Sequence, residues 1–221
     1  HARFFLSLAE EGEPKWHTRA QVIWLRRFER ELDNFRAVLA WSIEHAIDVG
    51  VRLAAALAKF WDGGAYHREG REWLAKALAN SQVCGTKLAG FRAKALNMAG
   101  LLAWDQGDST TTYMSEEESI TLCRTLGDKS GLVVALKWLG MAVFSQGDLA
   151  RARGLLDESL ALSRQVQNIR ELADTLYWHG VVAWGQRDND QARVDARECI
   201  LLAQEAGLIT KFASGISILG H

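Results

Sequence analysis

Hydrophobic positions in the second half of the chain recur at a spacing of forty residues. Leu96, Leu136, Leu176 and Ile216 each lie four residues before a glycine, and these glycines are Gly100, Gly140, Gly180 and Gly220. A fixed period in this range is typical of arrays of stacked helical hairpins. The pattern therefore directs the search for function toward extended surfaces rather than catalytic loops.

Apolar residues at three- and four-residue spacing predict the individual helices. In the N-terminal part we expect a first helix over 2–11, which stops before Pro14, and a fourth over 49–61. The second helix should begin at a Thr18–Gln21 capping box and have Val22 on its apolar face. The third should be capped by Asp33–Asn34. The predicted helix pairs are 53–61 with 69–79, 89–106 with 110–126, 131–146 with 149–165, and 170–186 with 190–206.

The turns inside these pairs have a shared sequence. Gly107-Asp108 and Gly147-Asp148 suit a helix that ends in a left-handed glycine and is followed by an aspartate that caps the next helix. Arg187-Asp188 departs from this pattern, so we expect Gly185 to supply that bend.

A second group of glycines falls in the middle of the first helix of each pair. A glycine at such a position costs about 1 kcal/mol relative to alanine, so its recurrence predicts close approach of the second helix. We expect Ala152 and Ala192 to face Gly140 and Gly180. Another phase is occupied by small residues and is interpreted as packing: Ser119, Ser159 and Cys199.

Together these residues resemble tetratricopeptide repeats (TPRs) of the longer, forty-residue variety. The best copy reads Leu136-x-x-Leu139-Gly140-x-x-Val143, then Gly147-Asp148, Ala152, Leu156 and Ser159. The resemblance implies an all-α fold, a right-handed α–α superhelix of antiparallel helix pairs. Thr112 and Glu116 stand where Ala152 and Leu156 do, so we expect their helix to be shifted, distorted or poorly packed.

The first 48 residues have a second resemblance. They contain His1-Ala-Arg-Phe-Phe-Leu and Trp24-Leu-x-Arg-Phe-Glu-x-Glu-Leu-Asp-Asn-Phe-Arg-Ala-Val-Leu-x-Trp41. These strings look like the junction that follows the ATP-binding and winged-helix portions of large bacterial regulators of the LuxR and AfsR type, relatives of MalT. Such regulators commonly use a helical repeat region as a sensor or partner-binding arm beside a separate DNA-binding domain.

This resemblance implies a domain organisation. Residues 1–48 would link the repeats to a domain upstream, and residues 49–221 would form the repeats. The predicted repeats are 49–80 (degenerate), 89–128, 131–168, 170–207 and 210–221 (truncated).

Composition narrows the class of partner. The 221 residues are 48% hydrophobic and 24% charged with a formal net charge of -1, so no global positive field attracts nucleic acid or an acidic membrane. No apolar run is long enough to predict a membrane span, and the N-terminus lacks the features of a signal peptide. Cys84, Cys123 and Cys199 are widely separated, and a cytoplasmic location is the prediction.

Motifs for catalysis, cofactors and metals do not stand out. Gly127-Asp128-Lys129-Ser130 lacks the Gly-Lys pair of a phosphate-binding loop and is interpreted as a turn between repeats. His17, His45, His67 and His179 have no metal-ligand spacing, and His179 is interpreted as a core or groove-lining residue. We therefore expect a chain that is not an enzyme, without cofactor or metal.

The repeat register instead predicts a binding groove along the first helices, which line the concave face of such arrays. Its columns are Trp104, Phe144 and Trp184; Leu101, Met141 and Val181; and Asn97, Lys137, Tyr177 and Ser217, with Asp105 extending the polar edge. We expect Asn97, Lys137 and Tyr177 to be exposed. The alternative is that the aromatic column belongs to the core between repeats.

Two functional classes follow. The favoured one is a non-enzymatic interaction and sensing module of a transcriptional regulator that binds a peptide, partner protein or small effector in the groove. The alternative is an enzyme carried on a helical solenoid, with His and Glu as acid and base. Self-association through a final helix that exposes Phe212, Ile216 and Leu219 is a third possibility.

Overall fold

The computed structural model describes residues 1–16, 18–81 and 87–205. The helices are α1 (Ala2–Gly12), α2 (Gln21–Arg30), α3 (Leu32–His45), α4 (Ile47–Gly63), α5 (His67–Ser81), α6 (Ala89–Asp105), α7 (Ser109–Leu126), α8 (Lys129–Ser145), α9 (Leu149–Val166), α10 (Ile169–Gly185) and α11 (Asn189–Glu205). A short 3-10 turn, Glu13–Lys15, follows α1. The regular structure of the described residues is thus helical throughout, which confirms the predicted all-α class.

The chain divides into two compact units, residues 1–122 and 123–221. In the first unit, helices on both sides of residue 48 contribute to one hydrophobic core. Its largest fully buried side chains include Phe28, Phe35, Phe60 and Trp61. The division of the sequence into a linking segment and repeats at residue 48 stays a prediction.

Two of the predicted helix caps in the N-terminal part are wrong. Thr18 does not cap α2: its hydroxyl donates to the carbonyl of Lys15 at 2.7 Å and accepts from the amide of Ala20. Val22 is 57% exposed rather than on the apolar face. Helix α3 begins at Leu32, and Asp33 pairs with Arg36 instead of capping it.

The later turns repeat every twenty residues, half of the sequence period. Left-handed backbone occurs at Gly107 (φ 73°), Gly127 (φ 68°), Gly147 (φ 87°), Gln167 (φ 56°) and Arg187 (φ 64°). The following residue accepts a hydrogen bond from the amide three positions on: Asp108, Asp128, Asp148, Asn168 and Asp188. The same turn therefore joins the helices of a pair and joins one pair to the next.

These turns confirm the predicted glycine–aspartate pattern and place Gly127-Asp128 between pairs, as expected. The expectation for Gly185 is wrong. Arg187 itself adopts the left-handed conformation, and Gly185 is the last residue of α10. The capping Asp188 fixes the turn, and the residue before it adopts the required φ whether or not it is glycine.

Close helix approach explains the glycines in the first helices. A Cβ added at Gly140 would lie 3.0 Å from Cγ of Leu156, and one at Gly180 would lie 3.3 Å from Cβ of Asp195. The backbone carbonyls of Ala152 and Ala192 are the next atoms met, at 3.5 and 3.6 Å, so the predicted facing positions are confirmed.

The small-residue phase is also confirmed as packing, and its members make the same hydrogen bond. Ser119, Ser159 and Cys199 each donate to a backbone carbonyl twenty-six residues earlier, that of Ala93, Val133 or Ala173. Cys123 and Cys199 are both buried. The burial of Cys199 raises the pKa of its thiol to about 11.

The expected distortion of α7 is not observed, because Thr112 and Glu116 both fit within the helix pair. Helix α7 runs without interruption over Ser109–Leu126. The Thr112 hydroxyl donates to the carbonyl of Gly100 at 3.1 Å, and the fully buried Glu116 fills the space beside Gly100. The polar residues of this copy thus replace the apolar contacts of the others.

Some expectations fall outside the described residues. These concern His17, Cys84, Phe212, Ile216, Ser217, Leu219, Gly220 and the truncated repeat 210–221. Among the described helices, none combines the length and apolar character that a membrane-crossing segment requires.

Candidate functional site

The ten residues predicted for the groove differ widely in exposure. Asn97, Leu101, Lys137 and Met141 are buried; Trp104, Phe144, Tyr177 and Val181 are half-buried; Asp105 and Trp184 are exposed. The expectation that Asn97 and Lys137 are exposed is wrong, since they are 3% and 2% exposed. The aromatic column retains accessible surface at all three positions, so it is not wholly core.

Asn97 serves the packing of α6 against α7. Its side-chain oxygen accepts a hydrogen bond from the hydroxyl of Ser119, which also contacts the carbonyl of Ala93. A buried amide needs such a partner to offset the loss of water. The contact between α6 and α7 thus accounts for the burial of Asn97.

Lys137 is buried because two carboxylates from α10 reach it. Its Nζ lies 3.0 Å from Oε2 of Glu171, contacts the carboxylate of Asp174, and sits 5.2 Å from the ring centroid of Trp138. Burial alone would lower the pKa of Lys137, but the two carboxylates outweigh it and hold the pKa above its ordinary value. The ammonium is therefore neutralised within the fold rather than offered to a ligand.

Three aromatic residues pack beside this ion pair. The Trp138 and Trp178 rings lie 6.0 Å apart, and the Tyr177 and Trp178 rings meet edge to face at 4.8 Å. Burial, with Asp174 and Cys199 nearby, raises the pKa of the Tyr177 hydroxyl. Trp138 is buried and Trp178 is half-buried, so both rings contribute to the packing of α8 and α10.

Two predicted groove residues with accessible surface, Phe144 and Trp184, lie at the C-terminal ends of α8 and α10. A Cβ added at Gly185 would lie 2.8 Å from Cε2 of Phe144, so the Phe144 ring rests against the glycine backbone. The side-chain amide of Gln186 donates to the carbonyl of Leu149, the first residue of α9, and so joins the end of α10 to the start of α9. Trp184, next to Gly185, is 53% exposed. We call Phe144, Trp184 and Gly185 the aromatic edge.

His179 forms a network that sequence reasoning missed. Its Nδ1 lies 2.6 Å from Oδ2 of the buried Asp195, and its Nε2 lies 2.9 Å from Oδ1 of Asp157. Burial would lower the pKa of His179, but the hydrogen bonds to Asp195 and Asp157 outweigh it and raise the pKa above its ordinary value. The sequence did contain a signal for this network, because the ionisable Asp195 occupies the position that Ser115 and Leu155 hold in the other copies.

The contacts with Asp157 and Asp195 explain why a histidine is buried at position 179. Both ring nitrogens face carboxylates, so neither presents a lone pair to a substrate. His179 and Asp195 are also buried, which leaves the pair without access from solvent. The interpretation of His179 as a core residue is confirmed.

Asp105 belongs to a cluster of titratable side chains. It faces His67 and Asp62 in the first unit, where the three side chains come within reach of one another. Sequence spacing did not indicate this group, because its members come from three different helices.

Comparison with known proteins supports the fold and gives a partial relationship. No family model matches the sequence. Inferred helix-turn-helix (HTH) transcriptional regulators of Mycobacterium bovis and Mycobacterium tuberculosis are 33% identical to this chain over 116 residues. The match covers 50% of this chain but only 13% of each relative, so the chain spans a small part of their length.

Solved structures similar to this chain are helical repeat proteins. The apo form of RapI matches 99% of this chain and 75% of its own, with a TM-score of 0.72 and 11% identity. BtubC (BKLC) from P. vanneervenii matches 88% and 81%, with a TM-score of 0.65 and 16% identity. YrrB, a TPR protein with an unusual peptide-binding site, matches 97% and 100%, with a TM-score of 0.54 and 13% identity.

These likenesses establish what the forty-residue period predicted: the chain has a TPR-like helical repeat fold, and half of it is related to inferred transcriptional regulators.

Proposed function

We propose that this chain is the non-enzymatic partner-binding and sensing module of a bacterial transcriptional regulator of the LuxR/AfsR type. In this proposal the module binds a peptide segment or partner protein at the aromatic edge. The observation that carries it is the exposed Trp184 together with Phe144, which holds the equivalent position on the preceding first helix and packs on Gly185. The relationship to HTH regulators over half of the chain supports the setting.

The chemistry of the aromatic edge favours a protein ligand. Tryptophan dominates many recognition surfaces because its large ring gains apolar contact at little entropic cost. A single exposed apolar side chain is common on protein surfaces, but Trp184 is accompanied by Phe144, whose ring packs on the adjacent Gly185. The ring of Phe144 lies against Gly185, the residue that follows Trp184, and adds a second aromatic side chain to this end of the helix.

The charged cluster of the second unit lies toward the start of α10, away from Trp184 near its end, and is balanced within itself. Lys137 neutralises part of the charge of Glu171 and Asp174, and Arg170 lies in the field of the same two carboxylates. Burial lowers the pKa of Arg170, and the two carboxylates oppose that effect. We therefore expect affinity to come mainly from apolar and aromatic contacts.

Signalling requires more than binding. A ligand shifts an equilibrium between two states of a regulator only if it binds one of them more tightly. In this proposal, occupancy of the aromatic edge changes how the module docks on the ATPase and DNA-binding parts of the regulator. The chain itself does not contact DNA.

The experiment is a selection of random twelve-residue peptides on the immobilised 221-residue chain, followed by affinity measurement with the Trp184→Ala variant. We expect the selected peptides to bind the variant about 30-fold more weakly, as for a central aromatic anchor worth about 2 kcal/mol. Trp41→Ala is the matched control, since Trp41 is similarly exposed at 50% but lies on α3 of the first unit.

Equal loss in both variants, or undiminished binding to Trp184→Ala, would contradict the proposal. Parallel thermal-shift panels with nucleotides and sugars test the small-effector alternative. If a nucleotide or sugar raises the melting temperature, and raises it equally in Trp184→Ala, the small effector binds at a site other than the aromatic edge.

A further inference from the structure

Asp62, His67 and Asp105 come together from three helices of the first unit. Asp62 is in the last turn of α4, His67 is the first residue of α5, and Asp105 is the last residue of α6. The amide of Tyr66 donates to the carbonyl of Trp61 at 2.8 Å, which closes the turn and returns His67 to the side of Asp62. Helix α6 ends at the same point and brings Asp105.

The spacing of the three side chains differs from that of an ordinary hydrogen-bonded network. Nε2 of His67 lies 3.6 Å from Oδ1 of Asp62 and 4.0 Å from Oδ2 of Asp105. All three candidate donor atoms lie within 4.8 Å of one another. By contrast, His179 sits directly on its carboxylates at 2.6 and 2.9 Å. The donor atoms of Asp62, His67 and Asp105 therefore lie around a common space and do not bond directly to one another.

This spacing suits ligands of a metal ion. Donor atoms about 2.1 Å from an ion in a tetrahedral arrangement lie about 3.4 Å apart. The two histidine–carboxylate separations of 3.6 and 4.0 Å reach that value with movements of a few tenths of an ångström, and the third pair of donor atoms starts within 4.8 Å. The side chains are 28–33% exposed, so an ion could reach them while the helices still hold them.

The partial charges at the ends of the three helices add to the negative charge of the two carboxylates. Helices α4 and α6 present their C-terminal ends here and α5 presents its N-terminal end. The carbonyl end of a helix has partial negative charge and the amide end partial positive charge, so two of the three helix ends favour a cation.

We infer that Asp62, His67 and Asp105 bind a divalent transition-metal ion such as Zn²⁺. One imidazole nitrogen with two carboxylate oxygens suits Zn²⁺, Co²⁺ or Mn²⁺ better than Ca²⁺, which prefers six or more oxygen ligands. Three protein ligands leave a position for water or another group. A bound ion would connect α4, α5 and α6 at one point of the first unit.

The test is calorimetric titration of the 221-residue chain with Zn²⁺, after removal of metals with a chelator. We expect about one ion per chain and at least tenfold weaker binding in His67→Ala, Asp62→Asn and Asp105→Asn. His45→Ala and Asp190→Asn are matched controls, because both remove an exposed group of the same type elsewhere. These controls should bind as the parent chain does.

Two further measurements separate metal binding from a general effect on folding. The melting temperature of the parent chain should rise with Zn²⁺ concentration, and that rise should disappear in the three ligand variants. Co²⁺ substitution should give visible absorption bands whose intensity reports the coordination geometry. Circular dichroism in chelator should show the variants folded like the parent.

The inference is overturned if the parent chain binds no Zn²⁺ at micromolar concentration. It is also overturned if binding persists unchanged in the ligand variants, since other residues would then hold the ion. Because this site uses no residue of the aromatic edge, its failure leaves the peptide-binding proposal untouched.

Discussion

Two polar residues in the second unit illustrate how partners from distant helices decide burial. Lys137 and His179 both lie on first helices, and both are enclosed by carboxylates that sequence spacing did not reveal. A buried charge is tolerated only when paired and hydrogen-bonded. Each of these residues therefore makes a specific prediction about stability.

Replacing Lys137 by alanine should lower the free energy of unfolding by about 3 kcal/mol, the low end for breaking a buried ion pair, because Glu171 and Asp174 keep some contact with water. Urea unfolding followed by circular dichroism measures the change. Lys129→Ala is the control, since Lys129 is exposed and its Nζ donates to the side-chain oxygen of Gln165. A loss below about 1 kcal/mol would show that the pair adds little to the fold.

Stability should depend on pH through His179. The groups that face its ring are Asp195, Asp157 and Arg153. Because the folded pKa lies above the ordinary value of 6.5, its contribution is complete below that value and is lost as pH rises through the folded pKa. The parent chain should therefore lose more stability between pH 6 and 9 than His179→Gln does.

The measurement is the urea midpoint of both proteins across this range, with His45→Gln as the control for loss of an exposed histidine. An identical pH dependence in the parent and His179→Gln would mean that the imidazolium is not stabilised by these carboxylates.

At the scale of the element, the helix pair is built from one repeated turn and one repeated close approach. The turn could be predicted from Gly-Asp, because a left-handed residue and a side-chain cap are local requirements. The caps of α2 and α3 could not, because Thr18 and Asp33 have other local partners that compete for their side chains.

Glycine substitutions in one helix pair separate close approach from helix propensity. Gly154→Ala should raise the free energy of unfolding by about 0.5–1 kcal/mol, since Gly154 lies in α9 with nothing within 4 Å of an added Cβ. Gly140→Ala should instead lower it by about 1 kcal/mol, because the added methyl meets the fully buried Leu156. Urea unfolding of the two variants gives the comparison. Equal gains would show that Leu156 moves aside freely.

At the scale of the whole molecule, the sequence predicted the repeat fold well and the binding surface less well. The period and the turn residues are repeated along the chain, so each copy supports the others. Exposure of a residue such as Asn97 or Lys137 depends on what a different helix places opposite it. That information is not periodic, since partners such as Glu171 and Asp174 belong to a single copy.

The net charge of -1 leads to a prediction for the whole chain. In fluorescence anisotropy with a labelled DNA duplex at 150 mM salt, we expect no binding at micromolar protein, because counterion release needs a cluster of positive charge. Repeating the titration at 50 mM salt is the control. Binding with a steep salt dependence would show that this segment contacts DNA directly.

The twenty-residue turn restricts how such a chain can change length. Because residues 107, 127, 147, 167 and 187 adopt the same backbone, loss or duplication of twenty residues would leave every join between helices acceptable. It would nevertheless exchange the roles of first and second helices in every later pair, and Gly140 or Gly180 would lose the neighbour that its missing side chain accommodates. Only steps of forty residues preserve both the joins and the faces. Natural or engineered variants of this chain should therefore gain or lose helices two at a time.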